Sequence, residues 1–414
     1  MVDYFRPSLE PYEAIYRDIH QNPELSLTES RTARIVSRHL ANVAFGQVIP
    51  NIGGYGVVGV LRNGVGPTVM LRADMDALPV EELTGLPYAS QKHQLDRFGK
   101  LQPVMHACGH DFHVACLMAA AELLSSARGI WSGTVILLFQ TGEEDGEGAR
   151  LMVGDPLFAT IPKPDVLLGQ HVEWTKSGTV QIRPGQALSA CDSFDVRLFG
   201  KGGHGSAPHR SIDPVLAACS IVVRLQGIIS REVDPAESAV VTCVYIQAGK
   251  AVNIVPDTVD MKVEVRSYKP GVRAAVVAAV KRIINAESDA SGLPQRPEIT
   301  QTLSIPAITN DDEVVRKLTL ALRGHFHGRV QEMVRDSGSD DFSVFAEALG
   351  VPCAYWNFGG TDEATWDRAE REGKLLELPT GHSACFAPAI EPTIRTGTDA
   401  IALAALAFLH RRSA

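Results

Sequence analysis

The run GTVILLFQ, residues 133–140, constrains this chain more than any other feature. It carries no charged side chain and no alternation of apolar with polar positions. A strand with one face in water needs that alternation, so the run reads as a central strand covered on both faces. DVLLGQHV at 165–172 has the same texture. Further strand-like runs are GYGVVGVL at 54–61, TVMLRADM at 68–75 and, late in the chain, PCAYWNF. Helical patterns lie between them. Two fall within 9–44, separated by QNPEL; others are HVACLMAAAELLSSA at 113–127, residues 312–324 and an Ala/Leu-rich stretch at 390–411. Strands alternating with helices predict an α/β fold, with active-site loops at the strand ends.

The texture changes near residue 185. ACDSFDVRLFGKGG, SAVVTCVYIQAG and DTVDMKVEVRSY alternate as half-exposed strands do. Helical stretches at 211–229 and 271–292 separate them. The order β-α-β-β-α-β predicts a ferredoxin-like α+β sandwich. We therefore expect one domain built from 1–184 and 304–414, and a second, inserted domain over 185–303. A length of 414 residues has room for two or three domains of about 100–200 residues each.

The net charge of −9 argues against a nucleic-acid partner, which calls for a basic face, and against attraction to anionic membranes. The seven cysteines (108, 116, 191, 219, 243, 353 and 385) are odd in number, widely spaced and without a CxxC pair. That usage predicts a reduced, intracellular protein rather than a disulfide scaffold. The N-terminal segment lacks the basic start and apolar run of a secretory signal. No stretch of about 18–20 residues is free of charge and turn residues, so no membrane span is expected. The expectation is a cytoplasmic protein.

Chemistry is concentrated at the ends of the apolar runs. Glu143 and Glu144 follow the most apolar strand. Adjacent carboxylates there are costly, because repulsion and desolvation both oppose their ionisation. Either the strand has already ended and both point into water, or a cation offsets the cost. His171 follows a second apolar run, MHACGHDFH (105–113) holds Cys108 and His110, and His382 follows a third strand-like region. In an α/β sheet such ends converge on one crevice. Thiolate, imidazole and carboxylate are zinc-type ligands. Five of them exceed what one tetrahedral ion needs, and a pair of ions about 3.5–4 Å apart fits better. Their scatter along the chain suits an open catalytic site rather than a zinc finger.

These motifs resemble the dinuclear-metal aminoacylase/carboxypeptidase family, most closely its branch of hippurate hydrolases, N-acyl-amino-acid amidohydrolases and auxin-conjugate amidohydrolases. The likeness covers nearly the whole chain: IHQNPELSLTE (19–29), RADMDALPVEE (72–82), MHACGHDFHVACLMAAAELL (105–124), FQTGEEDGEGA (139–149), GQHV (169–172), GKGGHGSAPH (200–209), VNIVPD (252–257), SGSDDFSVF (337–345) and HSACF (382–386). The resemblance implies a metallopeptidase-like catalytic domain, a mixed sheet flanked by helices, with an inserted lid that often serves dimerisation. It implies two divalent ions, zinc first and manganese, cobalt or nickel as alternatives, held by Cys108, His110, Glu144, His171 and His382. Cys108 stands where other branches have a bridging aspartate. Glu143 is then the general base, and Asp76 orients a ligand or that base. His204 is placed to stabilise an oxyanion, and Asn253 and Arg266 to hold a substrate carboxylate. His113 begins the following helix outside the metal shell, and His106 orients a ligand or touches substrate.

The sequence departs from the family pattern in two places. Thr141-Gly142 replaces the usual Pro-Ala, and Ser339-Asp340-Asp341-Phe342 replaces Ser-Glu-Asp-Phe. A third feature, the polar stretch 359–381, is longer than usual and is a candidate to line an acyl pocket or shape an interface. The implied reaction is cleavage of an N-acyl amino acid, a small-molecule substrate, into a carboxylate and a free amino acid. Two other readings stay open: a dipeptidase or carboxypeptidase of the same family, and a non-catalytic binding protein on the same fold. A homodimer through the lid is the implied assembly.

Overall fold

The computed structural model describes residues 2–411. It divides into two compact units: one runs to Ala187, resumes over Thr309–Arg335 and continues from Asp340, and the other comprises Leu188–Ile308 and Asp336–Ser339. The second unit therefore begins and ends slightly later than 185–303 and takes in a four-residue return that no periodicity marks.

A nine-stranded mixed sheet organises the first unit. Its order is Gln47–Ile52, Gly56–Asn63, Trp131–Gln140, Thr68–Asp74, Val166–Lys176, Cys353–Thr361, Val180–Ile182 and Val330–Glu332, with His410–Arg411 added beside Trp131–Gln140. The apolar run that limits the sequence is central. Leu137 is paired with Leu71 on one side and with Gly59 on the other, and every residue from Val135 to Gln140 is buried. Thr68–Asp74 runs parallel to both Trp131–Gln140 and Val166–Lys176, and Cys353–Thr361 is also parallel to Val166–Lys176. Several strand ends therefore open on one edge of the sheet.

Helix His110–Ser126 is buried almost all round, as its small, apolar composition requires. It begins at His110, not at His113 as expected, because Gly109 supplies a turn with φ +77° that side chains rarely adopt. A Cβ at Gly109 would also lie 2.3 Å from Val172 Cγ1. The polar stretch 359–381 holds a strand end and a helix, Glu363–Glu372. Asp362 caps that helix by accepting from the Thr365 N–H at 3.0 Å. Lys176 Nζ anchors it through Asp367 at 2.7 Å and Glu363 at 3.0 Å.

The second unit holds a four-stranded antiparallel sheet ordered Ala239–Ala248, Thr258–Ser267, Ala190–Phe199, Glu298–Ile305. Helices Pro214–Arg231 and Pro270–Ala290 cover one face. Thr258–Ser267 alternates in burial residue by residue, which is what one covered and one open face demand. Pro214–Arg231 is the one described helix long and apolar enough to cross a membrane by length and composition. Its Ala217, Ala218, Ile221, Leu225 and Ile228 lie in the core of this unit.

Candidate metal centre

The expected donors of the first unit meet. Asp74 closes its strand and Asp76 follows two residues later; Glu143 and Glu144 stand in the turn after Gln140. Cys108 precedes the helix that His110 opens. His171 is not at the end of its strand, which continues to Lys176. The neighbouring pairing with Thr68–Asp74 stops at Gly169, so His171 lies beyond the last paired rung on that side. His382 arrives on a loop whose backbone N–H bonds to Ala107 O at 2.8 Å, in the left-handed region at φ +68°.

Ligand atoms of Cys108, His110 and His171 lie within 4.8 Å of one another, as do those of Cys108, Glu144 and His382 and those of His110, Glu143 and Glu144. Cys108 Sγ is 3.4 Å from His171 Nε2. Since His171 Nδ1 donates to Val172 O at 2.7 Å, Nε2 is the nitrogen left with a lone pair. His110 Nδ1 meets Asp76 Oδ1 at 3.1 Å, and its Nε2 lies 3.7 Å from Glu144 Oε1 and 3.9 Å from Glu143 Oε2. His382, 58 % exposed, places Nε2 3.5 Å from Glu144 Oε2. His110 Nε2 and Glu144 Oε1 are buried without a hydrogen-bond partner. Orphaned buried polar atoms are rare and call for an explanation. An imidazole nitrogen and a carboxylate oxygen facing the same point, with a thiol and two more imidazoles around them, fit a zinc-type cation.

Electrostatics agree with that fit. Burial, then Asp340, Glu144 and Asp341, pushes Glu143 well above the usual carboxylate range, with Arg72 opposing. Burial, with Glu144 and Glu143, raises the Cys108 thiol. Burial disfavours charge on His110, but Asp74, Asp76 and Glu144 outweigh it and lift the imidazole to about 10. Protons are thus drawn to a place where negative charge is in excess, and a cation answers the same excess.

His113 has no ring nitrogen to spare. Nδ1 meets Asp74 at 2.5 Å, and Nε2 accepts from the Val172 N–H at 2.9 Å. His106 is buried with both nitrogens unpartnered. Behind Glu143 lies a network that the sequence reading missed. Arg72, fully buried, bonds Asp74 at 2.6 Å, Gln140 at 2.8 Å and Asp340 at 2.8 and 2.9 Å. The signal was present: one arginine inside the apolar run VMLRADM has to be paired. His20, also missed, joins Asp111 at 2.7 Å to Glu82 at 3.0 Å.

In the second unit, pairing of Gly203–His204 with Ile254–Val255 brings His204 and Asn253 onto adjacent segments, and Asn253 O accepts from Gly205 N–H at 2.9 Å. His204 Nδ1 accepts from the Ser206 N–H at 3.1 Å, so its proton resides on Nε2. Arg266 is apart from both. It bonds Glu264 at 2.6 Å, Ser337 O at 2.8 Å and Ser339 Oγ at 3.3 Å.

Residues 70–372 match the family described as Peptidase family M20/M25/M40. The chain belongs to this family. It is a metal-dependent amidohydrolase. It is 35 % identical over 347 residues to a hippurate hydrolase of Campylobacter jejuni, covering 83 % of this chain and 86 % of that protein. It is 34 % identical over 402 residues to thermostable carboxypeptidase 2 of Saccharolobus solfataricus, covering 96 % and 95 %. A solved structure of the Bacillus subtilis YXEP protein, a dinuclear metal binding peptidase of the M20 family, superposes with a TM-score of 0.76 at 26 % identity over 98 % of this chain and 99 % of that one. The likeness to that structure extends to the mixed central sheet flanked by helices.

Proposed function

We propose that this amidohydrolase cleaves N-acyl amino acids to a carboxylate and a free amino acid, with Glu143 as general base. The observation that carries the reading is the meeting of four separate segments beside Glu143, with His110 Nε2 and Glu144 Oε1 buried and unpartnered. The hippurate hydrolase relative supports the substrate class. Cys108, His110, Glu144, His171 and His382 are the residues to hold two divalent ions, zinc or else manganese, cobalt or nickel. When bound, such ions polarise a carbonyl and acidify water. Glu143 takes the proton from the attacking water at its carboxylate and returns it to the leaving amine. Burial raises the proton affinity of Glu143, which favours its taking a proton from water. Asp76 fixes the ring of His110 through Nδ1 and grips the Glu144 N–H at 2.9 Å, which sets ligand and base together.

In the second unit, whose role as a lid belongs to this reading, His204 carries its proton on Nε2 and can donate to an oxyanion. Arg266 is assigned to the substrate carboxylate, where a planar guanidinium is well suited; Asn253, on a segment apart from it, is assigned to the same carboxylate by way of a second copy of the chain. The edge strand Ala239–Ala248 exposes Val240, Val244, Tyr245 and Ile246, which supports a homodimer through this unit. All seven cysteines are free thiols, which supports a reducing compartment such as the cytoplasm. A second reading, release of a C-terminal residue from peptides, has support in the carboxypeptidase relative.

The deciding experiment compares benzoyl- and acetyl-amino acids with matching dipeptides, each with zinc, manganese, cobalt or nickel supplied. Metal-dependent turnover of the acyl amino acids is expected. Turnover confined to dipeptides would replace this reading with the second, and none on either class would end both.

A further inference from the structure

The segment Ser26–Glu29 lies in the turn before helix Ser30–Asn42 and supplies no metal donor. Glu29 is nevertheless fully buried. Its Oε1 accepts from the Leu27 N–H at 2.9 Å and from the Gly142 N–H at 2.7 Å, and its Oε2 accepts from the Thr141 hydroxyl. Its backbone carbonyl accepts from the Ala33 N–H at 2.9 Å, but its side chain makes no capping bond to the helix it precedes. Glu24 makes those bonds, accepting from the Arg31 N–H at 2.8 Å and the Thr32 N–H at 2.9 Å. Glu29 is therefore committed to the two residues that immediately precede Glu143.

The other side of the glutamate pair is gripped from the same segment. Ser26 Oγ donates to Asp76 Oδ2 at 2.7 Å, and that oxygen accepts from the Glu144 N–H at 2.9 Å. Gly142 sits at φ +63°, and a Cβ there would come within 2.5 Å of Leu27 Cδ2, so the turn is pressed against this segment. Leu27 itself is in the left-handed region at φ +62°. Such backbone is uncommon for a leucine and is held in place by its surroundings.

We infer that Glu29 is a positioning residue for Glu143, fixing the Thr141-Gly142 peptide so that the general base is aimed. The inference rests on the proposed role of Glu143. Stability alone does not explain the arrangement. Burial and the neighbouring Asp76 carboxylate push Glu29 up to about 7, so the fold bears a cost to keep a second acid there. The hydroxyl bond departs from the family pattern, whose proline at position 141 has no hydroxyl to donate.

The test is steady-state kinetics on an N-acyl amino acid together with metal content. In Glu29→Ala, kcat falls about a hundredfold, as a displaced reacting group requires, while KM and metal content stay within about twofold. Glu29→Gln recovers kcat to within about fivefold of the parent, because its amide oxygen still accepts from the backbone and the Thr141 hydroxyl can turn to accept. Thr141→Val, which keeps shape and cannot unfold the turn by loss of volume, lowers kcat about fivefold, the worth of one hydrogen bond. The double variant Glu29→Ala/Thr141→Val is no slower than Glu29→Ala within about twofold, since the contact that Thr141→Val removes is already lost in Glu29→Ala. Parent-like kcat in Thr141→Val, loss of metal in Glu29→Ala, failure of Glu29→Gln to recover, or multiplicative effects in the double variant would each overturn the inference. A parent enzyme inactive on the acyl amino acids would instead overturn the proposed function.

Discussion

Two buried histidine–carboxylate clusters begin one residue apart, at His110 and at Asp111. Asp111 turns to His20, which uses both ring nitrogens, on Asp111 and on Glu82. His110 uses one nitrogen on Asp76 and leaves the other unpartnered among carboxylates. The residue types are the same and both clusters are buried, so composition does not separate them. What separates them is completeness. A fully paired network holds parts of the fold together, and one with convergent orphaned donors is built to receive something.

The largest expected effect is at the incomplete cluster. Glu143→Ala loses turnover by about ten-thousandfold while metal content by elemental analysis is unchanged. Activity near the parent's would remove Glu143 as the base. Next is Cys108→Ala, which is expected to lose at least about one bound ion per chain, because a thiolate ligand is removed. Unchanged stoichiometry would take Cys108 out of the shell.

The complete cluster behaves differently. His20→Gln costs about 3 kcal/mol of stability near neutral pH, as expected when a buried ion pair loses its cation, and leaves metal content alone. Burial disfavours charge on His20, but Asp111 and Glu82 outweigh it and raise the imidazole to about 9. Its stabilising contribution is therefore complete below its unfolded value near 6.5 and is lost as pH rises through about 9. The melting temperature of the parent should fall over that interval, and the fall should be smaller in His20→Gln. A metal loss in His20→Gln would merge the two clusters into one.

The strands, the long helices and the candidate donors that the fold brings together each leave a local mark. Val135 to Phe139 is apolar without interruption, and Cys108, His110 and His171 are residue types that seldom share a partly buried site without cause. His20 and Glu29 left no such mark. Their partners lie 91 and 113 positions away, and in the case of Glu29 one partner is a backbone N–H, which carries no side-chain identity. Arg72 stood between the two cases, since its charge inside an apolar strand announced a partner without saying which. The helix Glu363–Glu372 was read only as a polar stretch because it lies on the surface with a single residue buried, Ala369, too little to set an apolar period.

Helix His110–Ser126 is buried over most of its length among apolar neighbours, and that packing does not depend on a bound ion. Segments of this kind are among the last to open in a folded protein. Stripped of its ions, the chain should remain folded and unspent. In a cell starved of the cofactor it would persist as a reserve of enzyme, recruited by resupply of metal rather than by new synthesis.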